Sequence, residues 1–145
     1  MSRRSVAPAA PERTSLERWL VALAVLAAWS ILPPYVGPLV ALELDVASSV
    51  EVVDHVLPGL AAVVAACIAL FLVRRGETDS VLALSALGVC VLAGLFQTAS
   101  HLTLVMDAGG PEQPVGAVAL HASPGPVLML LALWLLLRAP EDEAR

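Results

Sequence analysis

Residues 81–106 read VLALSALGVCVLAGLFQTASHLTLVM, an uninterrupted run without one charged side chain. A helix of about 20 apolar residues is long enough to cross the hydrocarbon core of a bilayer. The run therefore predicts a transmembrane helix. Three more apolar stretches are found in the sequence, at 15–32, 54–73 and 117–138.

The composition of the whole chain agrees with a membrane protein. The chain has 145 residues, of which 59% are hydrophobic and 14% are charged, and its mean hydropathy is +0.85. Soluble domains carry about 25% charged residues, so the polar side chains that would cover a soluble core are missing. We predict an all-α fold, a bundle of four transmembrane helices, in a multi-pass protein of the plasma or inner membrane.

The positions of the arginines predict the orientation of the bundle. The chain has no lysine, and its arginines fall within residues 1–18, at 74–75 and within 138–145. The two other connections carry only acidic charges, so the positive-inside rule places both termini in the cytoplasm. We expect a disordered cytoplasmic arm at 1–14 with no cleaved signal peptide, a membrane domain at 15–138 and a cytoplasmic tail at 139–145. The net charge of −5 gives no reason to expect nucleic-acid binding.

The motif H-x-x-P-G occurs twice, as HVLPG at 55–59 and HASPG at 121–125. The same shift of 66 residues places Tyr35 opposite His101, which suggests an internal repeat of two helical hairpins. Proline is tolerated in the first turn of a helix, and glycine lets membrane helices pack closely. We therefore expect each motif to hold a histidine at the head of a helix, with a close contact one turn below it. In HASPG, Ser123 is the expected N-cap and Pro124 the first helical residue.

The three histidines of the chain, His55, His101 and His121, are expected at one depth. At 1.5 Å per residue, each lies within about 8 Å of the predicted outer boundary. At 100° per residue, a stripe of small residues ends at His55 on the second helix and another ends at His101 on the third. Membrane helices approach one another along such stripes. The sequence therefore predicts that three imidazoles, carried by three helices, converge beneath the outer surface.

A converging group of imidazoles predicts a transition-metal site. Imidazole suits both zinc and copper, and three protein ligands with one open position form the pattern of catalytic zinc. Asp54 is the predicted fourth ligand, and Glu51, Met106 and Asp107 are other donor groups close by in the sequence.

Other interpretations of the histidines stay open at this point. Two of them could ligate a haem axially, or they could bind a quinone or a lipid head group. Gln97, one turn below His101, and Tyr35 are then the predicted cofactor-contacting side chains. The simplest alternative has the histidines as interfacial polar residues that bond to one another, to loops or to water.

The sequence does not identify an enzyme. It contains no H-E-x-x-H motif, no C-x-x-C motif and no glycine-rich phosphate loop, and no residue is predicted to be catalytic. Cys67 and Cys90 lie within the apolar stretches and are interpreted as packing residues. No stretch has a charge at its centre, which argues against an ion-coupled pump. Two functions are predicted: metal handling or electron transfer at a histidine site on the outer face, or a non-catalytic accessory or assembly subunit that packs in a larger membrane complex or a homo-oligomer.

Overall fold

The computed structural model describes residues 10–32, 49–106 and 115–138, and every regular element within these three ranges is a helix. The predicted all-α fold class is therefore confirmed. The elements, in chain order, are α1 (Ala10–Trp29), α2 (Ser49–Arg75), α3 (Val81–Ser100), α4 (Leu102–Met106), α5 (Val115–Ala122) and α6 (Pro124–Arg138).

Four of these helices form the bundle. α1 packs against α2 and α6, and α3 packs against the same two helices, so that the four surround one core. The short helices α4 and α5 pack against each other and follow α3 and precede α6, respectively. The predicted count of four bundle helices fits this arrangement.

Among the described residues, three helical segments are long and apolar enough to cross a membrane. They are Val53–Arg75, Val81–Ser100 and Val118–Arg138, with mean hydropathies of 2.7, 2.0 and 1.8. The fourth bundle helix, α1, is apolar only from Trp19 onward, because its first half carries two glutamates and two arginines. Within the described residues, three of the four predicted spans therefore meet the length and hydropathy requirement. α1 is not among these three, but it is the fourth helix of the bundle.

The interior of the bundle is built largely from small side chains. Ala27, Ala62, Ala66, Cys90 and Ala132 are fully buried where the helices meet. Small residues let helix backbones approach closely, as is usual in membrane bundles. Large apolar side chains point outward instead; they include Leu57, Leu60, Leu92 and Leu130, each at least half exposed. Contiguous apolar surface of this extent is rare on soluble monomers and is expected where lipid covers the protein.

A tight turn at 76–80 makes α2 and α3 antiparallel neighbours. Gly76 has a φ of 83°, a left-handed conformation that glycine adopts without steric cost. The amide of Gly76 donates to Val73 O and the amide of Glu77 donates to Leu72 O, so α2 ends in a Schellman motif. Ser80 then caps α3, because its hydroxyl oxygen accepts a hydrogen bond from the Ala83 amide at 3.2 Å.

Several helix boundaries differ from the predicted ones. α1 begins at Ala10, so residues 10–14, which the sequence analysis placed in a disordered arm, are helical. α2 begins at Ser49, six residues before His55, and Pro58 therefore lies inside this helix and not in its first turn. The predicted placement of Pro58 was wrong, because the Val-rich segment before Asp54 continues the helix. The expected start of a helix at Pro124 is confirmed.

The predicted helix over 81–106 is interrupted at His101, and the one over 117–138 at Ser123. At the first break the carbonyl of Gln97 accepts three hydrogen bonds, from the Ser100 hydroxyl at 3.0 Å, from the His101 amide at 3.3 Å and from the His101 ring Nδ1 at 2.6 Å. A side chain that bonds to a helix carbonyl competes with the regular backbone ladder. The second break has a simpler cause, since Pro124 and Pro126 have no amide hydrogen to donate.

Candidate metal centre

The three histidines converge at one end of the bundle. His55 comes from α2, His101 from the junction of α3 and α4, and His121 from α5. Their relative exposures are only 2%, 6% and 5%, and their ring centroids lie 4.6–4.8 Å apart. The geometry therefore confirms that three helices bring the three rings into one buried cluster, which we call the histidine triad.

The histidine triad lies at the end of the spans opposite to the arginines. His55 is the third residue of the span Val53–Arg75, His121 is the fourth of Val118–Arg138, and His101 directly follows Val81–Ser100. Arg74, Arg75 and Arg138 lie at the other ends of their spans. Since a helix rises 1.5 Å per residue, each histidine of the triad is within about 5 Å of the end of its apolar segment.

The nitrogen atoms of the triad have the spacing of metal ligands. His121 Nε2 lies 3.2 Å from His55 Nε2 and 3.1 Å from His101 Nε2. One ligand atom from each of the three residues falls within 4.8 Å of the others. Around a tetrahedral metal with bonds of about 2.0 Å, neighbouring ligand atoms are about 3.3 Å apart. The two observed distances are therefore close to the edges of such a tetrahedron.

Hydrogen bonds to backbone carbonyls define the tautomers of two of these rings. His55 Nδ1 lies 2.9 Å from the carbonyl oxygen of Ser30, and His101 Nδ1 lies 2.6 Å from that of Gln97. A carbonyl can only accept, so both Nδ1 atoms carry hydrogen and donate it. In a neutral imidazole the other nitrogen is then bare. His55 and His101 therefore both direct Nε2 lone pairs at His121 Nε2.

These tautomers cannot be satisfied by hydrogen bonds within the histidine triad. His121 Nε2 can carry at most one hydrogen, and one N–H makes one linear hydrogen bond. It can therefore satisfy His55 Nε2 or His101 Nε2, while the other short contact joins an acceptor without a matching donor. A cation among the three Nε2 atoms accepts all three lone pairs at once. The Nδ1–H bonds to carbonyls are also the usual way in which proteins orient metal-binding histidines.

The glycines of the two H-x-x-P-G motifs lie where neighbouring chain segments come close to the triad. A Cβ atom on Gly59 would lie 2.5 Å from Ile31 Cγ1 and 3.0 Å from Ser30 Oγ. One on Gly125 would lie 2.9 Å from Gln97 Cβ and 3.0 Å from the Thr98 amide nitrogen. The missing side chain of each glycine therefore leaves room for a segment whose carbonyl oxygen orients a histidine ring. Gly59 leaves room for Ser30, which orients His55, and Gly125 leaves room for Gln97, which orients His101. The expected close contact one turn below each histidine is present in both motifs.

The other predicted site residues are placed as follows. The side chain of Asp54 is only partly buried, and Asp54 is not part of the group whose ligand atoms lie within 4.8 Å. Neighbouring helix positions point about 100° apart, which explains why Asp54 does not follow His55 into the cluster. Met106 is largely exposed. Tyr35 and Asp107 lie outside the described residues, as does the side chain of Glu51.

Gln97 lies in the core directly beside the histidine triad, 2% exposed. Its side-chain amide nitrogen donates to Ser30 Oγ at 3.2 Å and to the carbonyl oxygen of His55 at 3.3 Å. The side chain therefore links the ends of α1, α2 and α3. Its carbonyl oxygen, Oε1, is buried and has no hydrogen-bond partner among the residues that the structure describes.

Sequence reasoning missed Ser30, which both orients His55 and contacts Gln97. Ser30 is fully buried, and its hydroxyl donates to Ala27 O at 2.7 Å. The available signal was a serine at the end of an apolar stretch, just before Pro33-Pro34. A serine in that position is usually interpreted as the end of a helix. Its role in the site could not be predicted from its side chain, because the atom that orients His55 is its main-chain carbonyl oxygen.

The haem interpretation does not fit the histidine triad. Axial ligation by two histidines places a flat macrocycle between the two rings. The Nε2 atoms of the triad lie 3.1 and 3.2 Å apart, which leaves no room for a macrocycle between them. A single ion does fit this space.

Comparisons with known proteins give no further indication of function, so the assignment of the site depends on this geometry. No protein-family model, no curated protein and no solved structure matches the chain.

Proposed function

We propose that this chain is an integral membrane protein that binds one transition-metal ion, copper or zinc, through His55, His101 and His121. The observation that carries the proposal is the set of tautomers in the triad. Two backbone carbonyls direct the lone pairs of His55 and His101 at the same point, where His121 also presents Nε2. Proton sharing leaves one contact unsatisfied, and a metal ion satisfies all three.

The site faces the extracytoplasmic side of the membrane in this proposal. The positive-inside rule assigns the ends of the spans that carry Arg74, Arg75 and Arg138 to the cytoplasm. The histidine triad lies at the opposite ends of the same spans. Both chain termini are then cytoplasmic, and the metal exchanges with the outer aqueous phase.

Metal handling is the role that the ligand set favours. Three imidazoles are neutral donors, and within the described residues no carboxylate belongs to the group that would balance the charge of a divalent ion. Neutral ligands leave the charge of a bound ion uncompensated, whereas thiolates or carboxylates would add an electrostatic attraction that opposes its departure. With copper in the site, the same centre would also be able to carry an electron.

Metal analysis of the purified protein tests the proposal. The protein is extracted in a mild detergent, supplied with copper or zinc, freed of excess metal and analysed for metal per chain. We expect about one equivalent for the wild type. His121→Ala should lower the affinity by more than roughly tenfold, since loss of a mere supporting hydrogen bond at a metal site already costs about that much. His121→Phe keeps the ring volume and separates loss of the ligand from loss of packing.

The two cysteines offer matched controls for this experiment. Cys67 is exposed toward lipid and Cys90 is buried, with its thiol 3.4 Å from Ala62 O. Cys67→Ala and Cys90→Ala remove the thiols, which are the softest metal ligands of the chain, and should leave the metal content unchanged. Wild-type protein that binds no metal, and that co-purifies with a larger membrane complex, would instead favour the accessory-subunit function.

A further inference from the structure

The buried oxygen Gln97 Oε1 is a hydrogen-bond acceptor without a donor in the described part of the chain. Leaving such a group unpaired costs about 1–3 kcal/mol, so buried polar atoms in native proteins nearly always have a partner. Reversing the amide does not remove the problem. The oxygen would then face the carbonyl oxygen of His55, which is also an acceptor.

The environment of Gln97 limits what the missing donor can be. The amide nitrogen is held on one side by Ser30 Oγ and the His55 carbonyl, and the backbone carbonyl of Gln97 holds the ring of His101. The side chain thus belongs to the same bonded network as two of the three proposed ligands. Within the described residues, the triad has no fourth histidine, cysteine, aspartate or glutamate in its group. A tetrahedral metal held by three protein atoms takes its fourth ligand from solvent or substrate.

We infer that the metal of the histidine triad keeps an exchangeable fourth position, occupied by a water molecule whose hydrogen is accepted by Gln97 Oε1. This inference rests on the proposed function. Metal-bound water is a strong hydrogen-bond donor, and Gln97 Oε1 is the acceptor that lacks one. Gln97 is then a positioning residue that selects protic oxygen ligands over anions unable to donate. The site binds its metal in an open form that small ligands can enter, unlike the closed four-ligand form of structural zinc.

Cobalt(II) in place of the native metal, with azide as the probe, tests this inference. Azide adds to an open cobalt site and changes its visible spectrum, but it has no hydrogen to give to Gln97 Oε1. In the wild type, azide must therefore leave this oxygen unpaired. Gln97→Met removes the oxygen at similar length, and we expect azide to bind roughly tenfold more tightly to this variant. Gln97→Asn shortens the side chain by one methylene, moves the oxygen away from the water, and should also increase the affinity for azide. This second variant tests the inference even if Gln97→Met does not fold.

Cys90→Ala is the matched control. It truncates another buried side chain of α3, whose thiol lies 3.4 Å from Ala62 O, and leaves Gln97 and its hydrogen-bond partners in place. Azide affinity within about twofold of wild type is expected, less than the loss of one hydrogen bond would give. If Cys90→Ala and Gln97→Met change it equally, the effect of Gln97→Met is one of core packing and the inference is wrong. If wild-type protein binds cobalt but azide leaves the spectrum unchanged, the site is closed and the inference is overturned while the metal site stands. Absence of cobalt binding overturns both.

Discussion

Gly94→Ala is the substitution that most directly connects the packing of the bundle to the histidine triad. Gly94 lies on α3 where this helix crosses α6. A Cβ atom there would lie 2.6 Å from the Met129 amide nitrogen, 2.7 Å from Gly125 O and 2.9 Å from Met129 Cα. All three are backbone atoms of one helix turn, so no side-chain rotation can relieve the overlap. The two helices must separate by about 0.8 Å to restore ordinary contact at 3.4 Å.

Separation of α3 from α6 also separates two of the proposed ligands. His101 ends α3, and His121 lies just before α6. If the two helices separate by the same distance of about 0.8 Å along their whole length, the distance between the two Nε2 atoms increases from 3.1 Å to about 3.9 Å. This is well beyond the roughly 3.3 Å between ligand atoms of a tetrahedral site. We expect the metal affinity to fall roughly 10- to 100-fold, as when the support of a metal ligand is lost. Overpacking should also lower the free energy of unfolding by about 1–3 kcal/mol.

Gly88→Ala supplies the control on the same helix. A Cβ atom on Gly88 meets nothing within 4 Å, and alanine is a better helix former than glycine by about 0.5–1 kcal/mol. This variant should keep its metal and be as stable as the wild type or slightly more so. Both variants are compared in the same detergent, by thermal unfolding and by competition for zinc or copper with a chelating dye. Equal stability and equal metal affinity for the two variants would refute the coupling between helix packing and the triad.

Three further predictions follow from the contacts. Gly59→Ala should cost less metal affinity than Gly94→Ala, because the new Cβ atom would meet the side chains of Ile31 and Ser30, which can rotate, and not backbone atoms. The dye competition ranks the two variants, and the reverse order would contradict this reasoning. Arg74→Gln removes an ion pair with Glu17 whose shortest distance is 3.7 Å and whose arginine side chain is 61% exposed, so the free energy of unfolding should change by no more than about 0.5 kcal/mol, as checked by the same thermal unfolding. Thr78→Cys in the 76–80 turn, in a background without Cys67 and Cys90, should react with a membrane-impermeant maleimide only after the cells are permeabilised, and labelling of intact cells would reverse the assigned orientation.

The presence of helices that are long and apolar enough to cross a membrane is determined by the sequence alone. Length, hydropathy and the absence of charge are local properties, and a helix is the only single-segment solution that satisfies its backbone hydrogen bonds in lipid. The level of the histidines also follows from the sequence, since depth is residue number multiplied by the helical rise. The pairing of His55 and of His121 with a glycine four residues later was a further reliable signal, because i and i+4 lie on one helix face. The repeat suggested by the 66-residue shift stays a prediction, and its two motifs differ in that Pro58 lies within a helix and Pro124 begins one.

The chemistry of the site was decided only by the tertiary structure. Which nitrogen of a histidine is free depends on the partner of the other nitrogen, and these partners are the carbonyls of Ser30 and Gln97. Every residue has a carbonyl, so no side-chain pattern could point to these two. Three further features have the same origin: the exclusion of Asp54 from the triad, the end of α3 at His101, and the lack of a donor for Gln97 Oε1 in the described part of the chain. Each depends on distances between segments that are far apart in the chain. The packing of small residues sets these distances, and the periodicity of a single segment cannot predict them.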